Sequence, residues 1–108
     1  NPSFKCSNSS DILKIPVGLI TADETVYAGL AWSSGNSSNY LYTKQNYWTM
    51  SPYYSGGSAV VFCVYSKGGL DNAGVNWTDG GVRPVVNLKS SVQITGGNGS
   101  SGSPYVIG

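Results

Sequence analysis

The chain has 108 residues, enough for one domain with a single modest core and too few for two. Six Lys+Arg against five Asp+Glu leave a formal net charge of +1, which excludes the strongly basic or acidic footprint that binds nucleic acid or an anionic membrane. Charged residues make up only 10% of the chain, so solubility rests on Ser, Asn, Thr, Gly and tyrosine hydroxyls, a balance common in extracellular and cell-surface β proteins.

In chain order, residues 1–14 are polar and read as irregular, with Phe4 the large apolar anchor before Ile12 and Leu13. The chain starts at Asn1-Pro2 without Met or a signal peptide, and no apolar run approaches the ~20 residues of a membrane span. The expectation is a single domain, residues 1–108, forming a C-terminal part of a longer protein. Pro16 to Ile20 is a short strand. Thr21-Ala22-Asp23-Glu24 then carries the strongest local signal: Thr21 fits an N-cap and Glu24 the reciprocal position of a capping box, with Asp23 adding charge at the helix start. The predicted helix is Thr21–Ala28, stopped by Gly29 at C′. So short a helix does not stand alone, and Val26 and Tyr27 are expected to pack on a sheet.

Ser33 to Asn39 is loop by composition. Tyr40-Leu41-Tyr42 and Tyr47 to Met50 read as strands, the second stopped by Ser51-Pro52. Ala59 to Tyr65 and Leu70 to Val75 flank Ser66-Lys67-Gly68-Gly69 as a hairpin. Gly80-Gly81 turns the chain into Val82 to Leu88, the most strand-like segment, expected to lie centrally in a twisted sheet. Val92 to Ile94 and Tyr105 to Ile107 bracket a Gly/Ser-rich loop. The elements sum to an α+β domain, mostly antiparallel β with one short capped helix.

Catalytic chemistry has little to stand on. There is no His, the usual general base and the commonest metal ligand. Cys6 and Cys63 are a candidate disulfide closing a long loop, but Cys63 lies within Ala59 to Tyr65, where a lone Cys also serves as a small hydrophobe. Asp71 and Asp79 cannot alone supply the 6–8 oxygens of a calcium site. No cofactor and no metal are expected.

"PVGLITADETVYAG", "YLYTKQNYWTMSP" and "GGVRPVVNL", in that order, resemble an uncharacterised domain family of gut-bacterial and prophage-associated proteins. Members of that family look like a compact C-type-lectin fold of the formylglycine-generating-enzyme type. Its superfamily includes the variable proteins diversified by retroelements, whose changeable residues precede a Gly-Φ-Arg strand. Here Gly81 to Val85 takes the place of that strand. The resemblance implies a C-type-lectin-like domain, and it directs attention to the stretch before Gly81.

That stretch holds Tyr53, Tyr54, Ser55, Tyr65, Lys67, Asp71, Asn72, Asn76, Trp77, Thr78 and Asp79, a set that, Trp77 apart, looks drawn from adenine-directed diversification of asparagine codons. Tyr and Trp offer rigid amphipathic contact area, while Ser, Gly and Asn offer adaptable hydrogen bonds, as in antibody loops. These residues are expected to gather on one face as a ligand-binding surface for a protein or glycan. Arg83, between Val82 and Pro84, is expected to hydrogen-bond structurally, and Trp48 to be core; Trp77 is open between the two roles. A receptor or adhesin module, extracellular, on the cell surface or on a phage particle, is the leading reading. The alternatives are a structural module of a bacterial surface protein and an enzyme of the formylglycine-generating type. The last lacks the late cysteine pair on which the oxidising members of that superfamily depend.

Overall fold

In the computed structural model, which describes residues 10, 17–54, 56–100 and 102–108, the elements run β1 (Val17–Leu19), α1 (Ala22–Tyr27), β2 (Tyr47–Tyr54), β3 (Val60–Val64), β4 (Leu70–Gly74), β5 (Pro84–Val86), β6 (Ile94–Gly96) and β7 (Val106–Ile107). They form three antiparallel sheets: β1-β5, β2-β3-β4 and β6-β7. The Phe4 anchor, Ile12, Leu13, Cys6 and Ser55 lie outside the described residues.

This arrangement overturns the α+β class. The helix is six residues long, and the rest of the described regular structure is β, so the domain is mostly antiparallel β. The compact C-type-lectin-like architecture with a central Val82–Leu88 strand does not form either. Only Pro84–Val86 is strand, all three residues are exposed, and its sheet partner is β1. Pro84 explains part of the shortfall, since it cannot donate to a ladder and belongs at a strand start or sheet edge. The molecule measures 49 × 34 × 27 Å with a radius of gyration of 15.3 Å, above the ~13 Å usual for a compact chain of about 100 residues.

The helix forms as its sequence predicts. Glu24 N–H donates to Thr21 Oγ1 at 3.1 Å and Thr21 N–H donates to Glu24 Oε2 at 2.7 Å, completing the capping box. At the other end Gly29 N–H donates to Val26 O and Leu30 N–H to Thr25 O, both at 3.0 Å, the paired bonds of a Schellman motif. Gly29 supports it with φ +94°, a conformation open to glycine without penalty. The packed face differs from expectation: Ala22 and Thr25 are buried, whereas Val26 and Tyr27 are exposed. Six residues give a narrow inward stripe, and the tether Ala22 N–H to Ser51 Oγ at 2.9 Å turns that stripe toward β2.

The β2-β3-β4 sheet is the scaffold. The hairpin of β3 and β4 pairs in register from Val60↔Gly74 to Val64↔Leu70. β2 does not stop at Ser51-Pro52; it continues to Tyr54 through two register shifts against β3, and bulges of this kind accommodate a proline. Tyr40 and Leu41 sit in a turn, not a strand. Asn39 organises that turn, with Nδ2 donating to Ala28 O at 2.7 Å and Oδ1 accepting from Leu41 N–H at 2.9 Å. The core is small: Leu30, Leu41, Tyr47 and Val64, with Ile20 and Ala28 against it.

Candidate ligand-binding surface

Cross-strand partners in an antiparallel sheet share a face, and successive residues alternate. Trp48, Cys63 and Asp71 are partners and therefore share one face of the scaffold; Tyr47, Val64 and Leu70 share the other. Phe62 and Asn72 belong with the second set. The residues selected from sequence are consequently divided between two faces.

On the face that also carries the core, α1 lies against β2 and β4. Three rings gather beside it. Trp32 and Tyr53 stack with centroids 5.5 Å apart and planes 12° from parallel, and both stand edge-on to Phe62 at 6.0 and 5.0 Å. Trp32 arrives because the backbone of residues 31–33 bridges the outer edge of β4: Leu70 N–H donates to Ala31 O at 3.0 Å and Ser33 N–H to Leu70 O at 2.8 Å. Phe62 is partly covered, but Trp32 and Tyr53 are 47% and 49% exposed. Beside them, Asp23, Val26, Ser51, Pro52 and Phe62 line a cavity of ≈ 440 Å³.

On the opposite face, Tyr65 stacks on Trp77 at 5.9 Å and 14°, and Trp77 stands edge-on to Trp48 at 5.4 Å and 81°. The segment is held by Trp48 N–H to Gly81 O at 3.0 Å and Gly81 N–H to Asn46 O at 2.8 Å. Gly80 lies against the indole of Trp48, where a Cβ would collide with the ring. Cys63 is fully buried beneath this layer and carries a free thiol, whereas Cys6, its candidate partner, lies outside the described residues. Burial first, and then the charge of Asp71, pushes that thiol up from 9.0 to about 11. A protonated, covered thiol is inert, consistent with a packing role. Burial and the neighbouring Cys63 and Asp71 also raise the Tyr65 phenol above its ordinary 10.0.

Of the residues selected from sequence, Tyr65, Asp71 and Trp77 thus meet on one face, with Asn76, Thr78 and Asp79 exposed around the adjoining turn. Tyr53 is on the other face, where Asn72 is half-buried on the Phe62 side. Tyr54 ends β2, exposed, and Lys67 is exposed at the far end of the hairpin. Sequence reasoning missed Trp32. Its signal was an isolated large ring at the start of a Ser/Asn/Gly loop just after a helix stop. Trp48, expected in the core, is only half-buried over Cys63 and lines a cavity of ≈ 210 Å³ with Leu19, Val61 and Val75. Arg83 takes its structural place, donating from Nη1 to Leu41 O at 3.0 Å and to Tyr47 Oη at 3.3 Å.

Among the described residues no cluster of three or more His, Cys, Asp or Glu is placed to hold a metal ion. No helix among them is long and apolar enough to cross a membrane. Residues 17–90 match the family described as Domain of unknown function (DUF6273). Comparison with curated proteins and with solved structures finds no match.

Proposed function

The chain belongs to the DUF6273 family, and from that premise we propose that it is a ligand-displaying module of the receptor or adhesin kind, working outside the cell or on a phage particle. The observation that carries this reading is the Trp32–Tyr53 stack, two rings held parallel on Phe62 yet each about half exposed. Rings whose only task is stability become covered; clustered rings left open usually form binding patches. Their stacking fixes both side chains, so little rotamer entropy is lost when a ligand lands on them. The 440 Å³ cavity beside Phe62 supplies polar groups, from Asp23 and Ser51, next to the aromatic platform. That combination suits a glycan, whose rings lie flat on aromatic faces while hydroxyls take hydrogen bonds, or a protein hot spot built on Trp and Tyr.

Diversification by a retroelement is a further part of this proposal. It is supported by the adenine-derived look of Tyr53, Tyr54, Asp71, Asn72, Asn76 and Asp79. It requires near-identical copies of the gene that differ mainly between Tyr53 and Asp79.

The test is a screen of the purified protein on a glycan array and against surface proteins of co-resident cells, repeated with Trp32→Ala/Tyr53→Ala. A signal that the double variant loses while keeping its cooperative melt supports the reading. A signal it retains places the ligand elsewhere, and no signal from either protein favours a purely structural module.

A further inference from the structure

A second site, independent of the aromatic faces, lies between α1, the 39–42 turn and β5. Two cavities adjoin there through shared walls of Ile20, Tyr40 and Val85. One, of ≈ 350 Å³, is closed by Glu24, Tyr27 and Ala28; the other, of ≈ 300 Å³, by Leu41, Tyr47, Arg83 and Pro84. The volumes reach the lower end of small-ligand sites. The walls are largely apolar, yet each end carries one charged side chain.

Arg83 is the informative one. A guanidinium has five N–H donors in a planar fork. The hydrogens of Nη1 are used on Leu41 O and Tyr47 Oη, and the guanidinium carbon lies 5.3 Å from the centroid of the Tyr47 ring. These contacts fix the plane of the fork. Among the described residues Nε and Nη2 make no hydrogen bond, and no carboxylate reaches Arg83. No fully buried side-chain nitrogen or oxygen among those residues lacks a partner, so Nε and Nη2 are not sealed off, and they belong to a side chain that lines the cavity. At the far end Glu24 already accepts from Thr21 N–H and Oγ1 at 2.7 and 2.9 Å, which leaves a negative end unsuited to anions.

The geometry points to this groove as a binding site for an apolar carboxylic acid, its carboxylate on Nε and Nη2 of Arg83 and its apolar body along Ile20, Tyr40 and Val85. A fork held in place by two other bonds is pre-organised for bidentate capture of a planar carboxylate. The opposing Glu24 sets the direction in which the ligand lies. A free small acid and the C-terminal residue of a partner peptide share this chemistry.

The test is NMR titration of the labelled chain with phenylacetate against phenylacetamide, and with a pentapeptide ending in phenylalanine against its C-terminal amide. The acid of one pair should shift the amides of Tyr40, Leu41 and Val85, and the amide should bind roughly ten- to a hundredfold more weakly, the range for a charged hydrogen bond. Which pair responds identifies the source of the carboxylate. Arg83→Gln should remove the binding. Because Arg83 also braces Leu41, Val85→Asp provides a second variant: it places a carboxylate in the groove at an exposed strand position and should block the acid without unfolding the chain. Equal binding of acid and amide, acid binding retained by a folded Val85→Asp, or no response to any probe at millimolar concentration would each overturn the assignment.

Discussion

Tyr47 and Arg83, 36 residues apart, donate to the same acceptor: the Tyr47 hydroxyl reaches Leu41 O at 2.8 Å and Arg83 Nη1 reaches it at 3.0 Å. One turn carbonyl, which the chain leaves without a ladder partner, is thereby satisfied twice inside the core. The same pair joins β2, the 39–42 turn and the entry to β5. Tyr47→Phe should remove the hydroxyl's bond to Leu41 O, and with it the acceptor of the longer Arg83 Nη1 bond, while keeping the ring. The expected loss is about 1 kcal/mol by urea denaturation, since Arg83 still covers the carbonyl. Arg83→Ala should cost more, because it exposes both Leu41 O and the ring.

Raising pH should destabilise the domain through Cys63. Its thiol titrates near 9.0 when unfolded and at about 11 when folded. Above pH 9 the unfolded chain loses this proton while the folded one keeps it, so the stabilisation is complete below pH 9 and is lost as pH rises toward 11. Burial raises the Tyr47 phenol as well, which extends the decline above its ordinary 10.0. Melting temperature should therefore fall between pH 8.5 and 11, and fall less in Cys63→Ala than in the native chain. An equal decline in both proteins would remove Cys63 from the explanation.

The same burial protects the thiol from reagents. A disulfide-exchange reagent at neutral pH should leave Cys63 unmodified in the folded protein and modify it at the rate of unfolding. Rapid modification in native buffer, followed by peptide mapping to Cys63, would contradict the packing described.

Thr21→Ala removes the acceptor for Glu24 N–H and half of the capping box, and should cost about 1 kcal/mol. Thr21→Ser keeps the oxygen and should recover most of it. Because α1 has so few residues, the loss should also show as faster hydrogen exchange at Thr25 and Ala28.

Gly68→Ala tests the hairpin turn. Gly68 has φ +81°, and a Cβ there would come 2.5 Å from Asn36 O. The substitution combines backbone strain with a clash against a neighbouring loop, so about 2 kcal/mol or more is expected. Gly57→Ala shares the positive φ but meets nothing within 4 Å, and should cost only the smaller backbone part.

Several features were legible in the sequence because they are local. Thr21 and Glu24 are three residues apart, and the bonds between them need no other part of the chain. Gly29 marks the helix stop by the same logic, since a left-handed residue there favours glycine. The β3–β4 hairpin follows from two apolar runs around a Gly-rich turn, and Arg83 flanked by apolar residues announced a hydrogen-bonding role. What the sequence left undecided depends on alternation and on segments far apart. Whether Tyr53 and Tyr65 share a face is set by the pairing register and the bulges in β2, and the period of two sends them to opposite sides. Trp32 reaches Tyr53 only because the backbone around it bridges β4, a contact with no trace in either local stretch. The apolar run from Val82 to Leu88 suggested a buried central strand, but burial is conferred by what packs on a strand, and here β1 alone pairs with it. Composition could nominate the rings; only the tertiary structure could divide them, because a strand fixes the order of its side chains while the sheet decides which of them meet water.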